Sequence, residues 1–261
     1  MGEPPHLHPS GPGIVKYRFA PTQGPGRYRP PHAKAAMTPV AAHLLWLLLA
    51  WSAYCALHSA LAAERWKAWL ASRAPRLMPR YRLVYNVLAV ALLLPPLGLM
   101  ARWGGEPLWR WPGAWRWAAD GLALLAGAGF LLTLRHYDMA AFLGWAPAGA
   151  GTAERLTLSP LHRWVRHPWY ALALVMIWTR EPDAAFLVSA LVWSAYFALG
   201  ARLEERRLVA AHGEAYRRYQ ARVPALLPRP WRRLTAAEAA AIGALARPAP
   251  SGSPTPTQGD A

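Results

Sequence analysis

Long runs of apolar residues alternate with short polar segments along most of this chain. Three of the runs approach the ~20 residues that a helix needs to cross the hydrocarbon core of a bilayer. A fourth run is about half as long, and a fifth follows it closely. The pattern predicts an all-α, polytopic membrane protein with about five transmembrane helices, at residues 39–63, 83–101, 117–134, 170–179 and 184–200.

The last two runs form a hairpin with a polar motif at each of its open ends. Residues 180–183 between them are too few for anything but a tight turn, and Pro182 suits the start of the return helix. Two spans that cross a bilayer and return place their outer flanks on one face. The motif RHPWYAL, from Arg166, and the segment LEERRLVAAHGEAYRRYQARVPALLP, from Leu203, can therefore form one site.

Composition and charge support a membrane protein and predict its orientation. Hydrophobic residues make up 54% of the chain, 15 residues are Trp, and the charges concentrate between the apolar runs. The loop after the first run is rich in Lys and Arg, whereas the next loop has few. By the positive-inside rule, the first loop, both polar motifs and the C-terminus lie on the cytoplasmic face of the inner membrane. Anionic lipid headgroups explain the net charge of +16 better than nucleic acid does.

The residues before the fourth run predict an anion-attracting helix end. Arg163, Arg166 and His167 precede the run, and Pro168 suits the first helical position because its missing N–H is harmless there. Such an N-terminus attracts carboxylate or phosphate. The alternative is a positive-inside anchor that only touches headgroups, and Arg163 is expected to make that contact.

Two glutamates at the end of the fifth run need a cationic partner. Glu204 and Glu205 lie where the helix dipole and the potential of the cytoplasmic leaflet both disfavour acids. The partner is either a basic residue, Arg166 or Arg206, or a cationic ligand. Beyond them, the spacing predicts a cytoplasmic amphipathic tail helix that two prolines end; its repeating positions are Leu208, His212, Tyr216 and Tyr219.

The spaced motifs of residues 158–228 resemble a known group of membrane enzymes. RHPWY, then EERRL, G-x-x-Y-x-x-Y and V-P-x-L-x-P are similar to the catalytic half of the isoprenylcysteine carboxyl methyltransferase and phospholipid methyltransferase superfamily. Its members are integral membrane enzymes that use S-adenosylmethionine. The front half is similar to bacterial methanethiol S-methyltransferases and NnrU-like membrane proteins in LHSAL from Leu57, YRLVYN from Tyr81, and YD with FLG from Tyr137 and Phe142.

This resemblance implies a set of site residues. Catalytic roles are expected for Arg166 and His167, and weaker substrate contacts for Tyr137 and Asp138. The chain departs from the family pattern R-H-P-x-Y-x-G at Leu172, which puts a close backbone approach there in question. The residues expected to hold S-adenosylmethionine are His167, Pro168, Tyr170, Glu204, Glu205 and Tyr216.

The implied reaction transfers a methyl group from S-adenosylmethionine to a small or lipophilic acceptor. A thiol is the favoured acceptor, and a prenylcysteine-like carboxyl group or a lipid amine are the alternatives. Transfer disperses the sulfonium charge, so the protein mainly needs to align the reactants, without a metal. The oligomeric state stays open.

Two other classes of function compete with this one. Membrane reductases that bind NADPH share the R-H-P-x-Y start but continue with Gly-Glu, whereas Leu172 and Ala173 follow here. A transporter or haem-binding protein could use the lone histidines, although such residues more often satisfy local hydrogen bonds; these are His43, His58 and His136. No metal site is predicted, because Cys55 is the single cysteine and the pair His162 and His167 lacks a third ligand.

These observations divide the chain into four segments. Residues 1–36 are rich in Pro and Gly and are expected to be disordered, and Met37 is an alternative translation start. Residues 37–157 hold the N-terminal membrane helices, and residues 158–233 form the catalytic half. Residues 234–261 are expected to be a largely disordered tail.

Overall fold

A computed structural model of the protein describes residues 38–135, 138–145, 156 and 158–246, and these residues form helices and loops without β-strands. The all-α prediction is confirmed. Short 3-10 turns at Pro75–Arg80 and Pro160–Arg163 precede two of the helices. The α-helices are α1 Pro39–Ala62, α2 Glu64–Arg73, α3 Tyr81–Arg102, α4 Ala114–Leu134, α5 Met139–Leu143, α6 Pro168–Trp178, α7 Ala184–Arg222 and α8 Ala236–Leu245.

Four helices in these ranges are long and apolar enough to cross a bilayer, as expected for a polytopic membrane protein. They are α1, α3 with the turn before it, α4 and α7, and they correspond to four of the five predicted runs. The short fourth run is α6, whose 11 residues extend about 16 Å, roughly half of a hydrocarbon core. The polar residues before Pro168 do not lengthen this helix, because they form a 3-10 turn and an irregular segment.

Residues 179–183 join α6 to α7 as an irregular connection rather than the predicted tight turn. Trp178 donates from Nε1 to Ser194 Oγ at 3.0 Å, a bond that joins the last residue of α6 to α7. The loop after α3 contacts this connection: Trp111 donates from Nε1 to Thr179 O at 3.1 Å. A contact from another loop thus satisfies a polar backbone group that a tight turn would have satisfied internally.

Two helix packings build the apolar part of the protein. α1 packs against α3 and α7, and α4 packs against α6. Trp51 of α1 is fully buried and donates from Nε1 to Ser189 Oγ of α7 at 2.8 Å. Ala185 and Ser189 present small side chains to α1, which allows close approach between membrane helices.

α3 holds the short helix α5 through the YRLVYN motif. Arg82 donates from Nη1 to Ala141 O at 3.0 Å, and Asn86 donates from Nδ2 to the carbonyl oxygens of the last two α5 residues at 3.1 and 3.0 Å. α5 ends at Gly144, whose φ is 85° and where a Cβ would lie 2.5 Å from the nitrogen of Leu83. Only glycine allows this conformation and this approach together.

α7 continues beyond its apolar residues 184–200 into the tail. The helix is interrupted at Gly213, with φ 55° and ψ −126°, so the following residues leave the original helix direction. The predicted amphipathic tail helix is therefore the last part of α7. Its aromatic side packs with α8 and the segment between them in one core, formed by Tyr216, Tyr219, Val223, Leu234, Ala239 and Ile242.

Residues 236–245 differ from the expectation for the tail. They were included in a tail expected to be largely disordered, but they form α8. Thr235 and Glu238 cap its start reciprocally: Glu238 N–H donates to Thr235 Oγ1 at 3.2 Å, and Thr235 N–H donates to Glu238 Oε2 at 2.8 Å. Residues 1–37 and 247–261 lie outside the described residues.

Candidate active site

The RHPWY motif is attached to the tail through its main chain. Arg166 N–H donates to Pro224 O at 2.9 Å, and His167 N–H donates to Ala225 O at 3.0 Å. Prolines keep the V-P-A-L-L-P segment out of a helix, which leaves its carbonyl groups available for these bonds. The two motifs that flank the α6–α7 hairpin therefore lie together.

The side chains of Arg166, His167, Glu204, Glu205 and Gln220 form a polar cluster where the two motifs meet, and Arg166 and Glu205 lie at its centre. The Arg166 Nε atom lies 2.7 Å from Glu205 Oε1, and Nη2 lies 3.0 Å from Oε2. Only 11% of the Arg166 side chain and 13% of the Glu205 side chain are exposed. Gln220 donates from Nε2 to Glu205 Oε2 at 2.9 Å, while Arg166 Nη1 donates to Gln220 O at 3.2 Å and to Val223 O. This bidentate pair is saturated with partners and fixes the geometry of the cluster.

His167 lies between the two glutamates. Its Nε2 is 3.0 Å from Glu205 Oε1, and its Nδ1 is 3.4 Å from Glu204 Oε2. Burial alone would lower the pKa of the imidazole, but hydrogen bonds to both carboxylates outweigh burial and raise the pKa above its usual 6.5. Burial likewise opposes ionisation of Glu205, yet hydrogen bonds from His167 and Arg166 hold the pKa of that carboxyl well below its usual 4.5.

Glu204 differs from its neighbour in exposure. Its side chain is 52% exposed, and its contact with His167 is the long one. Both oxygens of Glu205, by contrast, are already hydrogen-bonded. The sequence left two possible partners for the glutamates, a basic residue or a cationic ligand. The structure pairs Arg166 with Glu205. Among the described residues, the carboxylate of Glu204 has no such pair with arginine, and it is exposed enough to contact a cation.

A stack of three rings leads from this cluster into the helix bundle. The His167 and Tyr170 rings lie 5.5 Å apart between centroids, with 9° between their planes. Tyr170 stacks in turn on Phe197 of α7 at 5.1 Å and 9°. A Cβ on Gly200 would lie 3.6 Å from the Tyr170 hydroxyl, so the small residue brings α7 close to this ring.

Tyr170 also lines a cavity of about 480 Å³ among α1, α3, α6 and α7. Its walls are mostly aromatic or aliphatic, with a few polar groups among them. Such a chamber suits a small, largely apolar ligand. The lining residues are Trp51, Tyr54, Cys55, His58, Leu93, Leu97, Tyr170, Ile177, Trp193, Tyr196, Phe197 and Gly200.

The LHSAL motif of α1 supplies polar groups at this cavity. His58 Nε2 lies 2.9 Å from the hydroxyl of Tyr85 on α3, and Ser59 Oγ lies 3.0 Å from the hydroxyl of Tyr196 on α7. Three helices are therefore joined by side-chain hydrogen bonds here. In the sequence, His58 was considered only for the competing transport or haem-binding function, and Tyr85 was assigned no site role.

Other residues expected in the site have mainly structural positions. Tyr216 is 1% exposed and lies in the tail core, with its ring 5.6 Å from that of Tyr219. Pro168 is buried as the first residue of α6. Asp138 caps α5 by accepting a backbone hydrogen bond at 3.0 Å. Tyr137 lies outside the described residues.

Arg163 and Leu172 have contacts that the sequence did not indicate. Arg163, expected to touch only headgroups, donates from Nε to Leu234 O at 3.0 Å and accepts from Leu234 N–H at 3.0 Å. Leu172 lies against α4, where a Cβ on Gly129 would be 3.3 Å from its side chain. Because Leu172 is not part of the cavity wall, its replacement of the family glycine leaves the cavity unobstructed.

The histidines considered for a metal or haem have other contacts. His43 stacks on Trp103 with ring centroids 4.6 Å apart, and Ser159 Oγ lies 2.8 Å from His162 Nδ1. His136 lies outside the described residues. Within the ranges that the structure covers, no group of three His, Cys, Asp or Glu residues is placed to hold a metal ion.

Known proteins similar to this chain share one description. The methanethiol S-methyltransferase of Mycobacterium tuberculosis is 31% identical over 213 residues, which cover 77% of this chain and 84% of that protein. Methanethiol S-methyltransferase 2 of Bradyrhizobium diazoefficiens is 30% identical over 198 residues, 70% of this chain and 72% of that protein. The chain belongs to the methanethiol S-methyltransferase family.

A third methanethiol S-methyltransferase, from a Pseudomonas species, is 29% identical over 191 residues, 67% of this chain and 70% of that protein. No family model and no solved structure matches the chain. Membership in the methanethiol S-methyltransferase family confirms the resemblance found in the motifs. It makes the chain a membrane methyltransferase.

Proposed function

We propose that this protein transfers a methyl group from S-adenosylmethionine to a small thiol, with methanethiol as the first acceptor to test. One observation carries the proposal: a half-exposed carboxylate, Glu204, is connected through the His167 and Tyr170 rings to an aromatic cavity. The names of the relatives supply the reaction class.

The polar cluster and the cavity fit the chemical parts of this cofactor. Glu204 has an exposed carboxylate for the ammonium group, and the His167 ring, whose Nδ1 lies 3.4 Å from that carboxylate, orients it. Aromatic faces attract a sulfonium in the same way as they attract quaternary ammonium groups. When bound, the cofactor supplies an electrophilic methyl carbon. The side chains contribute alignment and exclusion of water, which are the main requirements of this transfer.

The shape of the cavity supports a small acceptor. A second, almost entirely apolar groove of about 420 Å³ runs along α6 and includes Leu172, Trp178 and Leu227. This groove shares no lining residue with the aromatic cavity. A prenyl or acyl chain in the groove would therefore lack a direct route to the rings at Tyr170, which favours a thiol over a prenylcysteine or a lipid amine.

The orientation is also a proposal. The basic loop that contains α2 supports a cytoplasmic position for this loop, and the parity of the spans then puts the Arg166 cluster on the same face. The cofactor would thus be drawn from the cytoplasm, and the protein would reside in the inner membrane.

Turnover with three acceptors tests the proposal. Purified protein in detergent is incubated with S-adenosylmethionine and methanethiol, farnesylcysteine or phosphatidylethanolamine, and S-adenosylhomocysteine and methylated products are measured by mass spectrometry. We expect dimethyl sulfide from methanethiol in equal amount to S-adenosylhomocysteine. Product from farnesylcysteine or the lipid alone would contradict the thiol assignment. A parallel incubation contains NADPH instead of S-adenosylmethionine. Absence of methylated product from all three acceptors, together with oxidation of NADPH in the parallel incubation, would contradict the reaction class.

A further inference from the structure

The proposed reaction needs a proton acceptor that the polar cluster does not supply in the cavity. The thiolate form of a thiol, rather than the thiol, is the effective nucleophile. Among the described residues that line the cavity, none is Asp, Glu, Lys or Arg, and the ionisable ones are Tyr54, Cys55, His58, Tyr170 and Tyr196. Imidazole has an ordinary pKa of ~6.5, against ~8.5 for Cys and ~10 for Tyr, so histidine is the ring suited to accept a proton at neutral pH.

His58 is held in the cavity wall from several sides. Its ring stacks on Tyr54 with centroids 5.5 Å apart, and the Tyr196 ring lies nearly perpendicular to it with centroids 6.2 Å apart. The Tyr85 hydroxyl lies 2.9 Å from Nε2 and 3.3 Å from Nδ1. The shorter distance makes Nε2 the partner of the hydroxyl, and in the tautomer that carries its proton on Nε2 this N–H donates to the Tyr85 oxygen. Nδ1 then keeps the lone pair that can accept the proton of the substrate.

We propose that His58 is the general base that deprotonates the thiol acceptor, with Tyr85 as the residue that positions its ring. The inference rests on the proposed function. The thiol proton passes to the imidazole while the S–H electron pair stays on sulfur. That sulfur forms a bond to the methyl carbon as the bond between this carbon and the sulfonium breaks. The broken bond leaves its electron pair on the donor sulfur, now a neutral thioether, and the imidazolium later releases its proton to solvent.

The proposal predicts a defect that depends on the acidity of the acceptor. His58→Gln keeps a polar side chain beside Tyr85 but removes the base, and general-base catalysis contributes about 10²–10⁴-fold. We expect kcat/KM for methanethiol to fall by about that factor. The loss should be less than tenfold for thiophenol, which is largely ionised at neutral pH and needs no base. His43→Gln, a histidine of the same helix outside the cavity, should leave both rates unchanged.

A measurement without turnover complements the kinetics. A non-transferring cationic analogue of the cofactor is bound, methanethiol is added, and the ultraviolet absorbance of the bound thiolate is recorded. Wild type and His43→Gln should show the thiolate band at neutral pH, and His58→Gln should lack it. Binding of S-adenosylhomocysteine by each variant reports that the fold is retained. If His58→Gln does not fold, Tyr85→Phe, which keeps the ring, replaces it and should weaken methanethiol turnover but not thiophenol turnover.

The outcomes separate this inference from the proposed function. Equal losses for both thiols, or a full thiolate band in His58→Gln, would overturn the role of His58 while leaving a thiol methyltransferase. A wild-type protein that binds S-adenosylhomocysteine but methylates neither thiol would overturn the proposed acceptor and, with it, the base.

Discussion

The guanidinium of Arg166 and the carboxylate of Glu205 lie edge to edge, with donor–acceptor distances of 2.7 and 3.0 Å, across the open end of the α6–α7 hairpin. His167 and Gln220 bind the same carboxylate. Glu205 therefore has a structural role, because it holds Arg166, His167 and Gln220 together. Glu204, one residue earlier, has the more exposed carboxylate, and we propose that it is the one that binds the cofactor.

Glu205→Gln should destabilise the protein. It removes the charge from a largely buried pair and leaves Arg166 without its counter-ion, a change that costs about 3–5 kcal/mol for buried pairs. Thermal unfolding in detergent measures the effect, which we expect at the lower end because the pair keeps some exposure. Glu214→Gln, in an exposed pair with Arg218, is the matched control and should change the free energy of unfolding by less than about 0.5 kcal/mol.

Glu204→Gln should have the opposite profile, with stability retained and cofactor affinity reduced. A charge-assisted contact is worth about 1.5–3 kcal/mol, so the Kd for S-adenosylmethionine should rise about tenfold to a hundredfold. Calorimetry beside thermal unfolding separates the two effects. Loss of stability with unchanged Kd would show that Glu204, too, is only structural.

Stability should be highest between the ordinary pKa values of the two cluster groups. The pKa of Glu205 is lowered in the folded state, so its stabilisation is present above pH 4.5 and is lost as pH falls through the folded pKa. The pKa of His167 is raised, so its stabilisation is complete below pH 6.5 and is lost as pH rises through the folded pKa.

A pH series of melting temperatures tests this window. Wild type should lose melting temperature on the alkaline side of pH 6.5, and His167→Asn should lack most of this decline. His212→Asn, farther along α7, should keep it. A wild-type melting temperature that stays constant across the alkaline side would contradict the raised pKa of His167.

Gly144→Ala should disrupt the docking of α5 on α3. A Cβ there would lie 2.5 Å from the Leu83 nitrogen, and the backbone is in the left-handed region. We expect a loss of at least about 2 kcal/mol, measured by thermal unfolding. Gly127→Ala on α4, where a Cβ meets nothing within 4 Å, is the control and should be neutral or slightly stabilising. Equal melting temperatures for the two variants would refute the close approach.

Topology can be tested with reporters. A tag fused after Ala246 should behave as cytoplasmic, and a tag inserted at Gly105 should behave as periplasmic, because an odd number of crossings separates them in the proposed orientation. Tags that report the same side would contradict that orientation.

Hydropathy along the sequence was sufficient to predict the long helices, but it did not predict where the short helices α6 and α8 begin and end. The four long spans each carry an apolar window of bilayer length, which needs no tertiary information. α6 stops at Trp178 and the connection after it relies on Trp111, a contact from a distant loop that no local pattern indicates. α8 has a local signal, the Thr235 and Glu238 capping box before an Ala-rich run, but the run is only 10 residues long and adjoins a Pro- and Ser-rich tail.

The candidate site was only partly predictable for the same reason. Acids at a disfavoured helix end require a cation, which identified Glu204 and Glu205 as a pair. Neighbouring helix positions differ by about 100° in direction, so the sequence could not tell which one faces Arg166. The aromatic cavity lies between helices that are apolar on nearly all sides. A period of 3.6 residues carries little information on such helices, and the position of His58 in the cavity wall was therefore not predictable.

Cofactor binding by the purified protein tests the central claim most directly. Isothermal titration calorimetry in detergent, with S-adenosylhomocysteine and NADPH titrated separately into the same preparation, compares the two candidate classes of enzyme. The account predicts saturable, one-site binding of S-adenosylhomocysteine, weakened in Glu204→Gln but not in Glu214→Gln, and no heat from NADPH. Saturable binding of NADPH without binding of S-adenosylhomocysteine would contradict it.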